Sequence, residues 1–109
     1  MLEKIILKGI GASEGIAEGV VRIVSSIGHQ NAFKEGDILV TTITDPTMVA
    51  MMAKSGAIVC DIGGIASHPS IVSREMGIPC VVNTKEGTKI LKDGMKIKVD
   101  GKKGEVYLL

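Results

Sequence analysis

The apolar stretches of this chain are all short, and each is closed by glycine, proline or a charged turn. Lys4 to Lys8, Val20 to Val24, Ile38 to Thr42, Ala57 to Cys60 and Cys80 to Val82 are dominated by branched aliphatic residues. Segments of that length and composition, bounded in that way, read as strands. Fourteen glycines supply the breaks. A long helical bundle is excluded by this punctuation. So is a membrane-spanning helix, which needs ~18 consecutive apolar residues.

The chain of 109 residues suffices for one domain, spanning 1–109. Phe33 and Tyr107 are the only aromatic residues, so Ile, Val, Leu and Met must fill the core. A net charge of +1 and no set of stacking aromatics argue against a nucleic-acid partner. Cys60 and Cys80 form no CxxC pair and sit in apolar runs, where small buried thiols fit. The start lacks a signal-peptide pattern, and the expected compartment is cytoplasmic.

Two helices are expected in the middle. Asp45-Pro46 places a capping carboxylate before a proline, and Thr47 to Lys54 follows with Met48, Met51 and Met52 on its apolar face. These methionines are expected in the core. The second helix has Pro69 at its first position, Ser70 to Met76 as its body, and Gly77 then Pro79 to end it. Gly9 to Gly19, with a glycine every few residues, is expected to form turns and to let backbone approach closely. Met95 to Val99 and Glu105 to Leu108 flank a glycine turn and read as a hairpin. The whole suggests a compact α/β sandwich with a β-rich periphery.

Gly63-Gly64-Ile65-Ala66-Ser67-His68-Pro69-Ser70 is a strand–loop–helix junction with a histidine at its mouth. The glycines allow close backbone approach, and the helix start is expected to offer the N–H groups of Ser70 and Ile71. Such a terminus suits an anion, phosphate above all. A neutral imidazole nitrogen can attack phosphorus, which makes His68 the candidate nucleophile. The alternative is a histidine that only caps a helix. Ser67 either donates to a phosphate or fits a tight turn; Arg74 either anchors a phosphate or partner, or forms a surface salt bridge. Asp45 is expected to cap, and His29 to be an ordinary surface residue.

The stretch from Gly63 through His68, Ile71-Val72-Ser73-Arg74 and Gly77-Ile78-Pro79 to Val82 resembles the phosphohistidine signature of the phosphoenolpyruvate-utilising enzymes. That family includes pyruvate phosphate dikinase, phosphoenolpyruvate synthase and enzyme I of the sugar phosphotransferase system. Ile43-Thr44-Asp45-Pro46 resembles its T-D-P stretch, Gly11 to Val20 its opening, and Val99 to Tyr107 its closing strands. The resemblance implies the swivelling β/β/α fold and a phosphoryl group carried on His68. Gly63, Gly64, Ser67, Ser70, Ile71 and Arg74 would then surround the phosphate. It implies no metal or cofactor in this chain, with Mg²⁺ on partner domains.

Two positions depart from the family pattern: Ala66, where threonine is usual, and Pro69, where a small residue is usual. Ala66 removes a hydroxyl, and Pro69 removes one N–H. Nucleotide-binding and phosphoenolpyruvate-binding units would have to lie outside these 109 residues, which hold no P-loop and are either a separately encoded carrier subunit or a piece of a longer chain. Two other functions stay open at this point. One is a binding or regulatory module that kept the fold and lost transfer; the other is the small swivelling subunit of an aconitase-like dehydratase.

Overall fold

The computed structural model describes residues 3–24 and 33–109. His29 lies outside the described residues. Among the described residues there are eight strands: β1 (Lys4–Lys8), β2 (Ile10–Ser13), β3 (Ile16–Ile23), β4 (Ile38–Thr41), β5 (Ala57–Cys60), β6 (Cys80–Val82), β7 (Lys96–Asp100) and β8 (Glu105–Leu108). A 3-10 turn, Pro46–Met48, leads into helix α1 (Val49–Lys54); α2 (His68–Met76) and α3 (Gly87–Ile90) follow.

The strands lie in the order β1-β8-β7-β3-β4-β5-β6-β2. One strand belongs to two sheets. Ile16 to Val20 of β3 pair antiparallel with β7, whereas Val21 to Ile23 pair parallel with β4. The antiparallel half holds the expected hairpin of β7 and β8. The other half is parallel through β4, β5 and β6, with β2 antiparallel on its edge. Parallel neighbours need a crossover; α1 lies in the one between β4 and β5, and α2 in the one between β5 and β6.

Burial explains why β4 and β5 are apolar without alternation. Successive side chains point to opposite faces of a strand. Ile38, Val40, Ala57 and Val59 face the core shared with Leu7, Ile97, Val99 and Val106 of the antiparallel sheet. Leu39, Ile58 and Cys60 face the other way, onto Met48, Met51, Met52, Val72 and Met76. A sheet covered on both faces must be apolar on both. Each fully buried Leu, Ile or Met contributes about 1.5–3 kcal/mol, and the three methionines of the first helix are core residues as expected. The layers are therefore sheet, sheet and helices, the β/β/α arrangement.

The structure corrects the reading of the glycine-rich stretch. Gly9 to Gly19 is not a run of turns; it contains β2 and the first half of β3. Gly11 is needed because a Cβ there would stand 2.5 Å from the carbonyl oxygens of Gly101 and Lys102. Strand β2 thus lies directly against the turn between β7 and β8, too close for a side chain. Helix α3 was not expected either. It is a single turn steadied from a distance by Asp61, which accepts from the Thr88 N–H at 2.9 Å and its hydroxyl at 2.5 Å.

Candidate functional site

In parallel sheets, the loops after the carboxyl ends of the strands gather at one edge and commonly form the site. Here the β4 loop brings Thr44, and the β5 loop brings residues 61 to 67 and then His68. Main-chain bonds hold the two loops in register beyond the strands: Asp61 N–H donates to Thr41 O and Ile62 N–H to Thr42 O, both at 3.1 Å. The Thr44 hydroxyl, buried at 3% exposure, then lies 2.7 Å from Nδ1 of the half-buried His68. When Nδ1 carries the hydrogen and Thr44 accepts it, the Nε2 lone pair is left free.

Helix α2 begins at His68 itself, one residue earlier than expected, so Pro69 is its second residue. Ser67 is the N-cap and extended, with no side-chain capping bond. This corrects the list of free donors. Ile71 N–H is not free: it donates to Ser67 O at 3.0 Å, the first bond of the helix. The three donor positions before it have no intrahelical acceptor, and Pro69 has no hydrogen, which leaves His68 and Ser70 N–H.

The paired glycines differ. Gly63 has φ +119, and a Cβ there would stand 2.8 Å from the Ser67 hydroxyl. Gly64 has neither constraint. Its carbonyl instead accepts from Ser67 N–H at 3.1 Å and from the Ser67 and Ser70 hydroxyls at 2.7 Å each. Both hydroxyl protons thus point into the loop, and Ser67 fits the tight-turn alternative. Arg74 matches neither a salt bridge nor a free anchor: its terminal nitrogens donate to Ala12 O at 3.0 Å and to Ile65 O at 2.7 Å. It ties the loop before α2 to β2.

Asp45 caps the 3-10 turn as expected, accepting from Thr47 N–H at 2.8 Å and from the Thr47 hydroxyl. The Thr47 hydroxyl, then its N–H, hold this carboxyl below the usual range, and His68 adds a smaller electrostatic pull. The cysteines sit in the core under the helices, with Cys60 close enough to accept a hydrogen bond from the Thr44 main chain. Burial pushes the Cys80 thiol up to about 11 and Cys60 up further, which suppresses thiolate. The residue that sequence reasoning missed is Thr44. Its only signal was the T-D-P stretch, where Asp45 drew attention as a cap.

Comparison with known proteins bears on what this arrangement is for. Residues 33–104, which include Thr44, the loop and His68, match the family described as the PEP-utilising enzyme mobile domain. The chain belongs to this family. It is 57% identical over 104 residues to the probable phosphoenolpyruvate synthase of Archaeoglobus fulgidus, covering 95% of this chain and 14% of that protein. It is equally similar to the phosphoenolpyruvate synthase of Pyrococcus furiosus, 13% of which it spans. The chain therefore corresponds to about one seventh of these relatives.

Among solved structures, an Enzyme I protein superposes with a TM-score of 0.62 at 27% identity, over 72% of this chain and 33% of that one. The holo-form of Thermococcus kodakaraensis aconitase X gives a TM-score of 0.71, over 94% of this chain and 97% of that one. At 24% identity that second likeness is one of fold alone. No helix among the described residues is long and apolar enough to cross a membrane.

Proposed function

We propose that this mobile domain carries a phosphoryl group on Nε2 of His68, taking it from one partner and passing it to another. The observation that carries the reading is the Thr44–His68 hydrogen bond at an uncapped helix start. Thr44 fixes the ring, leaving Nε2 as the nucleophile. Its lone pair forms the P–N bond as the bond from phosphorus to the donor's oxygen breaks, and the leaving oxygen takes that electron pair. Positive charge left on the ring is shared with the Nδ1–H held by Thr44. The His68 and Ser70 N–H groups and the α2 dipole favour the incoming negative charge.

Phosphoenolpyruvate or a nucleotide bound on a separate partner is the expected donor, and any Mg²⁺ belongs to that partner. The departures at Ala66 and Pro69 are compatible with transfer. Helix geometry leaves two main-chain donors in place, and proline at the start of a helix removes none that the helix itself uses.

Incubation with labelled phosphoenolpyruvate, and separately with labelled ATP, with and without extract of the source cells, tests this directly. Intact mass should rise by one acid-labile phosphoryl group, and His68→Ala should remove it without loss of fold. Wild-type protein that stays unlabelled in every condition would leave only a binding role.

A further inference from the structure

The face beside the carrier loop holds two open depressions that run into one another. The first, about 340 Å³, lies between β2, Ile65, Arg74 and Lys102. The second, about 390 Å³, continues past Glu14 and Lys102 to Ile16 and Lys103. Their far ends carry Ile65 and Ile16, 62% and 63% exposed, the two most exposed large apolar residues among those described. Isolated exposed apolar residues are ordinary, but two at opposite ends of one groove define a contact surface.

The charge between them is positive. Asp100 is buried, and its carboxylate accepts from Lys102 N–H and Lys103 N–H, both at 3.0 Å, so it faces its own turn. Among the described residues neither lysine's ammonium is in an ion pair. Arg74, Lys102 and Lys103 outnumber the two acidic side chains that line it, Glu14 and Asp100. The groove is also continuous with the carrier loop, because Arg74 forms its wall while holding the Ile65 carbonyl three residues before His68.

We propose that this groove docks an acidic segment, with apolar residues on either side, of the polypeptide that exchanges phosphate with His68. This rests on the carrier reading above. The chain matches about one seventh of its relatives, which leaves room in them for an exchanging partner, and complementary charge would act mainly on encounter and register.

The test is the initial rate of His68 labelling by source extract and labelled donor, at rising concentrations of the chain. The double variant Lys102→Glu/Lys103→Glu should raise the half-saturating concentration about tenfold, with the maximal rate nearly unchanged and the difference shrinking in high salt. Ile16→Ser should raise it about threefold. Phosphoramidate, a small donor that needs no docking, should label all three proteins equally. Equal half-saturating concentrations for wild type and the lysine variant would overturn the groove while leaving the carrier intact. A wild-type chain that extract never labels would overturn both.

Discussion

The 3-10 turn at Pro46 and helix α2 at His68 rise from the same edge of the sheet, and each has a proline in its first turn. They are finished differently. Asp45 closes the first with two bonds to Thr47. Ser67 stands in the equivalent place on α2, is a residue type well able to cap, and instead turns its hydroxyl back to Gly64. One start is stitched shut for local order. The other has no side-chain cap and begins at the only histidine among the described residues. The comparison separates a capped helix start from an uncapped one, which on the proposed reading receives a negative charge.

Ser67→Asp attacks that difference most directly. A carboxylate at the N-cap would fill the open terminus and repel an incoming phosphate, so His68 labelling should fall by about a hundredfold. Thermal stability should hold or rise by about 0.5–1 kcal/mol, since Asp is a good cap. Unchanged labelling would show that the terminus takes no part.

Gly63→Ala should be next, destabilising the domain by about 2 kcal/mol in denaturant titration through its left-handed backbone and the clash with Ser67. Gly64→Ala, with neither constraint, should be nearly silent. Similar values for the two would mean that the loop relaxes freely. Thr44→Val should slow labelling by about tenfold, roughly 1.4 kcal/mol, with Thr44→Ser restoring most of the rate. A full rate in the valine variant would mean that the ring needs no such anchor.

The smallest effect is expected at the closed start. Asp45→Asn keeps a capping oxygen, so labelling at neutral pH should change less than twofold. Because the folded state holds the Asp45 carboxyl below its ordinary value, its stabilising effect is complete above that value. It is lost as pH falls through the lowered one. Melting curves below about pH 4 should therefore converge for wild type and Asp45→Asn. Parallel curves throughout would mean that the cap does not sense protonation.

The parallel strands and α2 were legible because they are set by local chemistry: branched runs such as Ile38 to Thr42, and Gly77, which ends α2 at φ +71. The second half of that helix's story was not local. Thr44 meets His68 across 24 residues only because β4 and β5 pair Val40 with Val59 and Thr41 with Cys60. Strand β2 was read as turns because its glycines answer to a distant neighbour, the Gly101–Lys102 backbone, and not to their own conformational freedom. Helix α3 opens on Gly87 and has its anchor at Asp61, so its four residues carry little signal of their own. His68 stood out in its motif, whereas the fate of Arg74 depended on carbonyls that no spacing reveals.

Because β3 is divided between the two sheets, neither can open alone. Loosening the β7 pairing at Ile16 to Val20 pulls on the same backbone that sets the register of β4 from the very next residue, Val21. The fold should consequently melt as one unit, and the slowest-exchanging amides on either side of Val20 should share a single opening free energy. A domain of this kind can be handed between partners without fraying, because disorder admitted at one sheet has nowhere to stop before the other.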